Sequence, residues 1–409
     1  MKFTRTIAIL LSVCLLAALP ISASAASAPC DCGEVLQVEV KGYLRPLRYN
    51  QGGSIEIPAL LGHLLMDKQG KSILPATMHW SIDPAQDHCA EPEYEFVYDY
   101  RIDAFVAAAQ LNDFIEALCD MTGHGKVALI GKSYGANVLL AYLKTYGPDR
   151  LDTFILSNGA FQGASLIVDL LKGRHAMTGP ALLNVLESLG PESTPLMTVV
   201  NFLRKTPLMS LNLPLAGLSW VLSKTLIPMM MRFPSAWTMI PGAYYDELRP
   251  LLDSDPDFAY LRESADRFHN EVRTQAADLI LGAKNAGVKV AIVASYGKAP
   301  LPVMQNTAYQ CDFVMDVAYS SGGAIVAPMG QTLPPGKSKY RSPDGIIDAA
   351  TCILPDQTWF IKYNDHFTLP QDLQQWIVHS KAQPSITTNP EFPQYLRIFS
   401  DGSTTPLNK

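Results

Sequence analysis

Charge is what this sequence has least of: 17% of its 409 residues are Asp, Glu, Lys or Arg, where soluble domains carry about 25%. Basic charge is not in excess either. The 38 acidic residues outnumber 32 scattered basic ones and the net charge is -6, which excludes a basic nucleic-acid module. The apolar stretch from Thr206 to Phe233 is broken by Pro207, Pro214, Pro228 and Lys224 into pieces shorter than the roughly 20 residues that span a bilayer. No internal repeat is visible. No Cys-x-x-Cys pair stands with a second pair or with histidines at ligand spacing, so a structural zinc is not expected. Disorder is excluded by the 48% hydrophobic content, which can offset the ordering entropy of the chain. So apolar and charge-poor a chain needs either a large core or a reason to expose apolar surface.

Met1-Lys2-Phe3-Thr4-Arg5, an apolar run from Ile7 to Leu19, and Ser22-Ala23-Ser24-Ala25 have the form of a secretory signal peptide cut after Ala25. That pattern predicts a secreted or periplasmic protein. Cys14 falls in the leader, leaving Cys30, Cys32, Cys89, Cys119, Cys311 and Cys352, an even number that suggests disulfides in an exported chain.

The body of the chain reads as α/β. Strand signals at 35–40, 95–100, 126–130 and 153–157 alternate with helices, one capped by Asp103 and ended by Gly123, the other running from about Ala136. The nearly all-apolar strand 126–130 suits a parallel sheet covered on both faces. From 165 to 285 the pattern is helical, and strands return at 288–293 and 358–362. The predicted organisation is a sheet domain, 30–164 with 286–385, interrupted by a helical cap, 165–285, and followed by a tail, 386–409.

The strand 126–130 runs into Gly131-Lys132-Ser133-Tyr134-Gly135-Ala136 and then a helix. Gly-x-Ser-x-Gly between strand and helix raises the serine hydroxyl on a strained elbow, and the glycines admit the close approach of backbone on either side. Ser133 is therefore the candidate nucleophile. A serine needs a histidine to take its proton and a carboxylate to orient that histidine, in the chain order Ser, acid, His. Of the four downstream histidines, His175 and His269 fall in the helical insertion and His379 caps a helix end. His366, in the loop after strand 358–362, is the predicted base. Two acids precede it: Asp344, in Ser342-Pro343-Asp344-Gly345, is favoured, and Asp312, in Cys311-Asp312-Phe313, is the alternative. An oxyanion hole is expected from the backbone N–H of Tyr134 and that of Tyr43, after Gly42 at the end of the first strand.

Three segments carry a family resemblance: Val97-Tyr98-Asp99-Tyr100-Arg101, Ile130 to Ala136 around the elbow, and Asn158-Gly159-Ala160-Phe161-Gln162-Gly163-Ala164. They are similar to the lecithin:cholesterol acyltransferase and lysosomal phospholipase A2 family, within the α/β-hydrolases. Asp344-Gly345-Ile346-Ile347 and His366 resemble the acid and final histidine of bacterial secreted lipases. The resemblance implies hydrolysis or transfer of a lipid acyl chain, without metal or organic cofactor. Its implied partners are a lipid or other ester and, through the cap, transient contact with a lipid surface. The Met229-Met230-Met231 run would line an acyl site in that cap. A protein that keeps the fold and only binds lipid is the non-enzymatic alternative.

Overall fold

The computed structural model describes residues 28–43, 47–50, 54–57, 66–67, 70–73, 80–175, 178–179, 183, 194–206, 223–224, 227–301, 304, 306, 308–399 and 401–408. The expected leader and most of the apolar stretch 206–233 lie outside the described residues.

In chain order the strands are β1 (Leu36–Val40), β2 (Leu47–Asn50), β3 (Ser54–Ile57), β4 (Glu93–Phe96), β5 (Val127–Lys132), β6 (Leu151–Ser157), β7 (Lys289–Tyr296), β8 (Ile325–Val326), β9 (Ile347–Asp348), β10 (Thr358–Lys362), β11 (Tyr395–Ile398) and β12 (Thr404–Pro406). Eight of them form one sheet in the order β12-β11-β10-β7-β6-β5-β1-β4. Every pairing in it is parallel except β11 with β12.

Alternation of side chains explains why Val127–Ile130 of β5 is apolar at every position. Val127 and Leu129 of β5 enter one core with Leu111, Phe114 and Leu140. Ala128 and Ile130 enter another with Trp359, Leu373 and Ile377. The first core is covered by α1 (Ala104–Thr122) and α2 (Gly135–Tyr146), which pack on each other, and the second by the helix Gln371–His379. Asp103 caps α1 by accepting the Phe105 and Val106 N–H groups, and Gly123, at φ 75°, ends it in the left-handed conformation, as the sequence predicts.

β4 stops at Phe96, short of the predicted strand end at Tyr100, because Asp99 turns the chain. Its carboxylate accepts the Arg101 N–H and pairs with the fully buried Arg101 guanidinium at 2.7 Å. Between β6 and β7 the described elements are all helical. The last of these, Ala276–Asn285, packs on α2 and β7. The segment after 385, read from sequence as a tail, supplies β11 and β12 to the main sheet. Phe360 N–H on Gln394 O and the buried Leu396 side chain tie it to the core.

Candidate functional site

The elbow forms as its sequence requires. β5 ends at Lys132, α2 begins at Gly135, and Ser133 between them has φ 55°, a left-handed backbone that costs a non-glycine residue about 1–2 kcal/mol. Hydrogen bonds hold that strain in place: Ser133 N–H donates to Ser157 O at 3.2 Å, and Ser133 O accepts from Ala136 and Ala160 N–H at 3.1 and 3.0 Å. Gly135 is obligatory, since a Cβ there would lie 1.9 Å from Val40 O; a Cβ on Gly131 would displace Leu139 Cδ1, 2.3 Å away, and press on Ala136 Cα at 3.0 Å.

Gly42, just beyond β1, sits directly against Ser133. A Cβ there would be 2.9 Å from Ser133 Oγ and 2.7 Å from the Tyr134 nitrogen. The Gly42-Tyr43 turn and the Tyr134 N–H thus share one small space beside Ser133. Tyr43 is pinned above it by a hydroxyl contact with Ser235 and by ring contacts with Tyr100 and Tyr134, centroids 4.9 and 5.5 Å apart. Tyr134 anchors its own ring by donating to Ile102 O at 3.1 Å. Lys132, beside Ser133, has its ammonium 2.8 Å from Glu39.

His366 is buried in the loop after β10, and its Nδ1 lies 2.8 Å from Asp312 Oδ2. Asp312 stands after β7, in a turn held to that strand by reciprocal Lys298–Cys311 backbone bonds at 3.0 Å. Its Oδ1 accepts Val314 and Met315 N–H at 2.9 and 2.7 Å, which leaves Oδ2 to face the imidazole. Because a carboxylate only accepts, Nδ1 carries the proton and the Nε2 lone pair is free to act as a base.

The structure does not bring the favoured acid, Asp344, to His366. Its Oδ2 accepts from Lys362 Nζ at 2.9 Å and from the Tyr296 hydroxyl at 3.0 Å, and its Oδ1 from the Ser342 hydroxyl at 2.6 Å. Burial opposes its charge, but Ser342, Lys362 and the Ile346 N–H together hold the carboxyl below its ordinary value. Asp344 is thus engaged by an ion pair with Lys362 and by two hydroxyls, away from His366. Asp312, the alternative, occupies the position beside the histidine.

Three residues that the sequence reading did not single out complete the surroundings. Asn158, fully buried at φ 45°, donates to His366 O at 3.1 Å and accepts Ser295 N–H at 2.8 Å, so it ties the histidine loop to β7 from the residue after Ser157. Asp316 accepts Ser165 N–H at 2.9 Å and the Ser165 hydroxyl, and burial raises its carboxyl to about 6. Arg273, buried without a carboxylate partner among the described residues, donates to Ala160 O and Thr238 O, and burial lowers its guanidinium to about 9. Asn158 was legible as the residue after a strand and the first of the segment 158–164 that carries the resemblance; Asp316 and Arg273 carried no local signal.

The other downstream histidines have separate roles. His175 Nε2 is 2.9 Å from the Ser223 hydroxyl, His269 stacks on Tyr245, and His379 lies at its helix end against Gln375 O and Glu34. The six described cysteines are all free thiols, so none of the expected disulfides is formed. Cys119, Cys311 and Cys352 are buried.

The insertion meets the site at the helix Pro234–Thr238, which carries Ser235 onto Tyr43. Beside it an apolar cavity of about 20 Å³ is lined by Ile167, Leu170, Ile227, Met230, Met231 and Trp237, among others. Among the described residues no helix is long and apolar enough to cross a membrane.

Residues 82–180 match a family model described as alpha/beta hydrolase fold. No curated protein matches the chain in sequence. Among solved structures, it is similar to a meta-cleavage product hydrolase from Pseudomonas fluorescens IP01 at 12% identity and a TM-score of 0.30, over 84% of this chain and 89% of that one. It is similar as well to MGS-M2, an alpha/beta hydrolase enzyme from a Medee basin deep-sea metagenome library, at 12% identity and a TM-score of 0.30, over 86% and 90%. A third is the esterase RhEst1 from Rhodococcus sp. ECU1013, at 11% identity and a TM-score of 0.28, over 85% and 90%. With its mostly parallel eight-stranded sheet, its strand–Ser133–helix elbow and the match over residues 82–180, the chain has the α/β-hydrolase fold.

Proposed function

We propose that the protein is a serine hydrolase of carboxylic esters, working through an acyl-enzyme. The observation that carries the reading is the buried Asp312–His366 pair on the loops after β7 and β10, in a sheet whose β5 ends in the strained Ser133 elbow. Asp312 holds the imidazole with Nε2 unprotonated, Nε2 takes the Ser133 proton, and Oγ attacks the ester carbonyl. The carbonyl oxygen, now negative, is met by the Tyr134 N–H and, across the Gly42 turn, by that of Tyr43. The alcohol leaves with the proton from His366. Water, deprotonated by the same histidine, then releases the acid and restores Ser133.

A lipid-type ester is the substrate class we favour. Its support is the resemblance of residues 97–101, 130–136 and 158–164 to the acyltransferase and phospholipase family, together with the apolar wall next to the Tyr43 turn. At about 20 Å³ that cavity accepts only a small group, against about 300 Å³ or more for a ligand site, so a long acyl chain requires the helix Ser165–Leu171 to part from the helices Ile227–Met230 and Pro234–Thr238. The first twenty-five residues favour an exported location.

The test is burst release from p-nitrophenyl esters of increasing acyl length by wild type and Ser133→Ala. A burst of about one product per chain, absent in Ser133→Ala, is expected. Equal turnover by the two proteins, or none by wild type on any ester, would overturn the reading, the second in favour of a lipid-binding protein. Added alcohol that appears as a new ester in the products would identify acyl transfer instead of hydrolysis.

A further inference from the structure

At the opposite end of the sheet from Ser133, three segments converge just before they enter three adjacent parallel strands. Cys30 and Cys32 precede β1, His88 and Cys89 precede β4, and His124 precedes β5. Their ligand atoms meet. Cys30 Sγ is 3.8 Å from Cys89 Sγ and 3.5 Å from His88 Nε2, and Cys32 Sγ is 3.5 Å from His124 Nε2. Cys30, His88 and Cys89 form one set, and Cys30, Cys32 and His124 another, with all ligand atoms of each set within 4.8 Å of one another. The two imidazoles stand edge to face, centroids 5.3 Å apart.

These separations are those of a tetrahedral metal site. Bonds of about 2.3 Å to sulfur and about 2.0–2.1 Å to nitrogen put two sulfurs about 3.8 Å apart, and a sulfur and a nitrogen about 3.5 Å apart. Bonds that do not involve the five ligand side chains hold the segments in place. Cys30 N–H donates to Gly123 O at 3.0 Å, Asp87 accepts Cys89 and Ala90 N–H at 3.0 and 3.3 Å, and a Cβ on Gly123 would strike Ala28 O at 2.0 Å. All five side chains are half-buried, open enough for an ion to enter.

We propose that this cluster binds one zinc(II) ion, four-coordinate, through Cys30 and one of the two pairs that share it, His88 with Cys89 or Cys32 with His124, with the fourth ligand drawn in from the other pair. Thiolate and imidazole ligands suit a borderline-soft divalent ion and not magnesium or calcium. Binding expels one proton from each ligating thiol and involves no change of oxidation state. The site is structural: β5 alone places about 20 Å between it and Ser133, and what it joins are the lead-in segments of β1, β4 and β5. A disulfide is the competing fate of these thiols, but three cysteines leave one over, and it gives the two histidines nothing to do.

The experiment uses the full chain purified under reducing, chelating conditions and then titrated with Zn²⁺ against a chromophoric chelator, and in parallel with Co²⁺. One ion per chain is expected, with thiolate-to-cobalt charge-transfer absorption and the intense visible bands of a tetrahedral ion. Cys30→Ser should weaken zinc binding at least about 100-fold, and zinc should raise the melting temperature of wild type but not of that variant. If Cys30→Ser does not fold, the cobalt spectrum of wild type decides on its own. Absence of stoichiometric binding, octahedral weak cobalt bands, or unchanged affinity in Cys30→Ser would overturn the proposal. So would mass spectrometry showing Cys30 in a disulfide in protein produced with zinc and without reductant.

Discussion

His366 Nδ1 lies 2.8 Å from Asp312 Oδ2, across 54 residues of chain, while Asp344 is bound to Lys362 at 2.9 Å. The two acids should therefore fail differently. Asp312→Asn is expected to lower kcat on a chromogenic ester by about 10⁴-fold, because the amide no longer selects the tautomer with Nε2 free. Asp344→Asn should leave kcat within about threefold and cost about 1–3 kcal/mol of stability at neutral pH by breaking charged hydrogen bonds. Its carboxyl is held below the ordinary value, so that contribution is present above pH about 4 and is lost as pH falls through the lowered value. Ester turnover by the two variants, and denaturation of Asp344→Asn beside wild type at pH 7 and pH 3, check these statements.

Gly42→Ala tests the shared space beside the nucleophile. Its Cβ would lie 2.9 Å from Ser133 Oγ and 2.7 Å from the Tyr134 nitrogen, closer than real contacts allow. The turn must shift, and with it the Tyr43 N–H. Loss of one oxyanion donor costs about 10²–10³-fold in kcat. A variant that retains wild-type kcat while folded, as judged by circular dichroism, would remove Tyr43 from the assignment.

Asn158→Ala should weaken both fold and rate. It leaves the Ser295 N–H and the His366 carbonyl, both hydrogen-bonded to Asn158 in the wild type, without their side-chain partner, at about 1–3 kcal/mol for each buried group. The histidine loop would then lose its tie to β7, and displacement of the base by an ångström can cost about 10²-fold. The expected pattern is a fall in kcat with KM little changed, together with a lower urea midpoint.

Asp316 supplies a pH test. Burial raises its carboxyl from 3.8 to about 6, so the fold favours the protonated form. That favourable contribution is complete below pH about 4 and is lost as pH rises through about 6. In the ionised state the cost is about 3 kcal/mol, at about 1.4 kcal/mol per pH unit of displacement. Asp316→Asn, which still offers an oxygen to the Ser165 N–H, should remove this dependence. The measured outcome is a wild-type stability that falls between pH 4 and 7 relative to the variant, by chemical denaturation.

The elbow was readable because everything it needs is local. A nearly all-apolar strand, Gly131, Ser133, Gly135 and an apolar-faced helix are contiguous, and their backbone geometry follows from sterics within ten residues. His366, the proposed base, was readable for a related reason, since it follows a clear strand. Its carboxylate partner was not. Asp344 has the better turn sequence, whereas Asp312 sits in a run of apolar residues, and the choice depends on where each loop lands relative to β10.

The C-terminal strands show the same limit from the side of the fold. Tyr395–Ile398 is too short to announce itself, and becomes a strand because β10 presents an open edge with which Phe360 and Ile361 can pair. The thiols and imidazoles before β1, β4 and β5 are an even clearer case. No two of the three segments are neighbours in sequence, and only the parallel packing of β5, β1 and β4 brings their lead-ins to one place.

By itself, then, the sequence determined the α/β pattern, the nucleophile elbow and the histidine, since local sterics and side-chain periodicity act over a few residues. Tertiary structure alone decided which carboxylate faces His366, what becomes of the last strands and where the cysteines meet. Those outcomes depend on the order in which strands assemble, a property of the whole sheet that no short segment encodes.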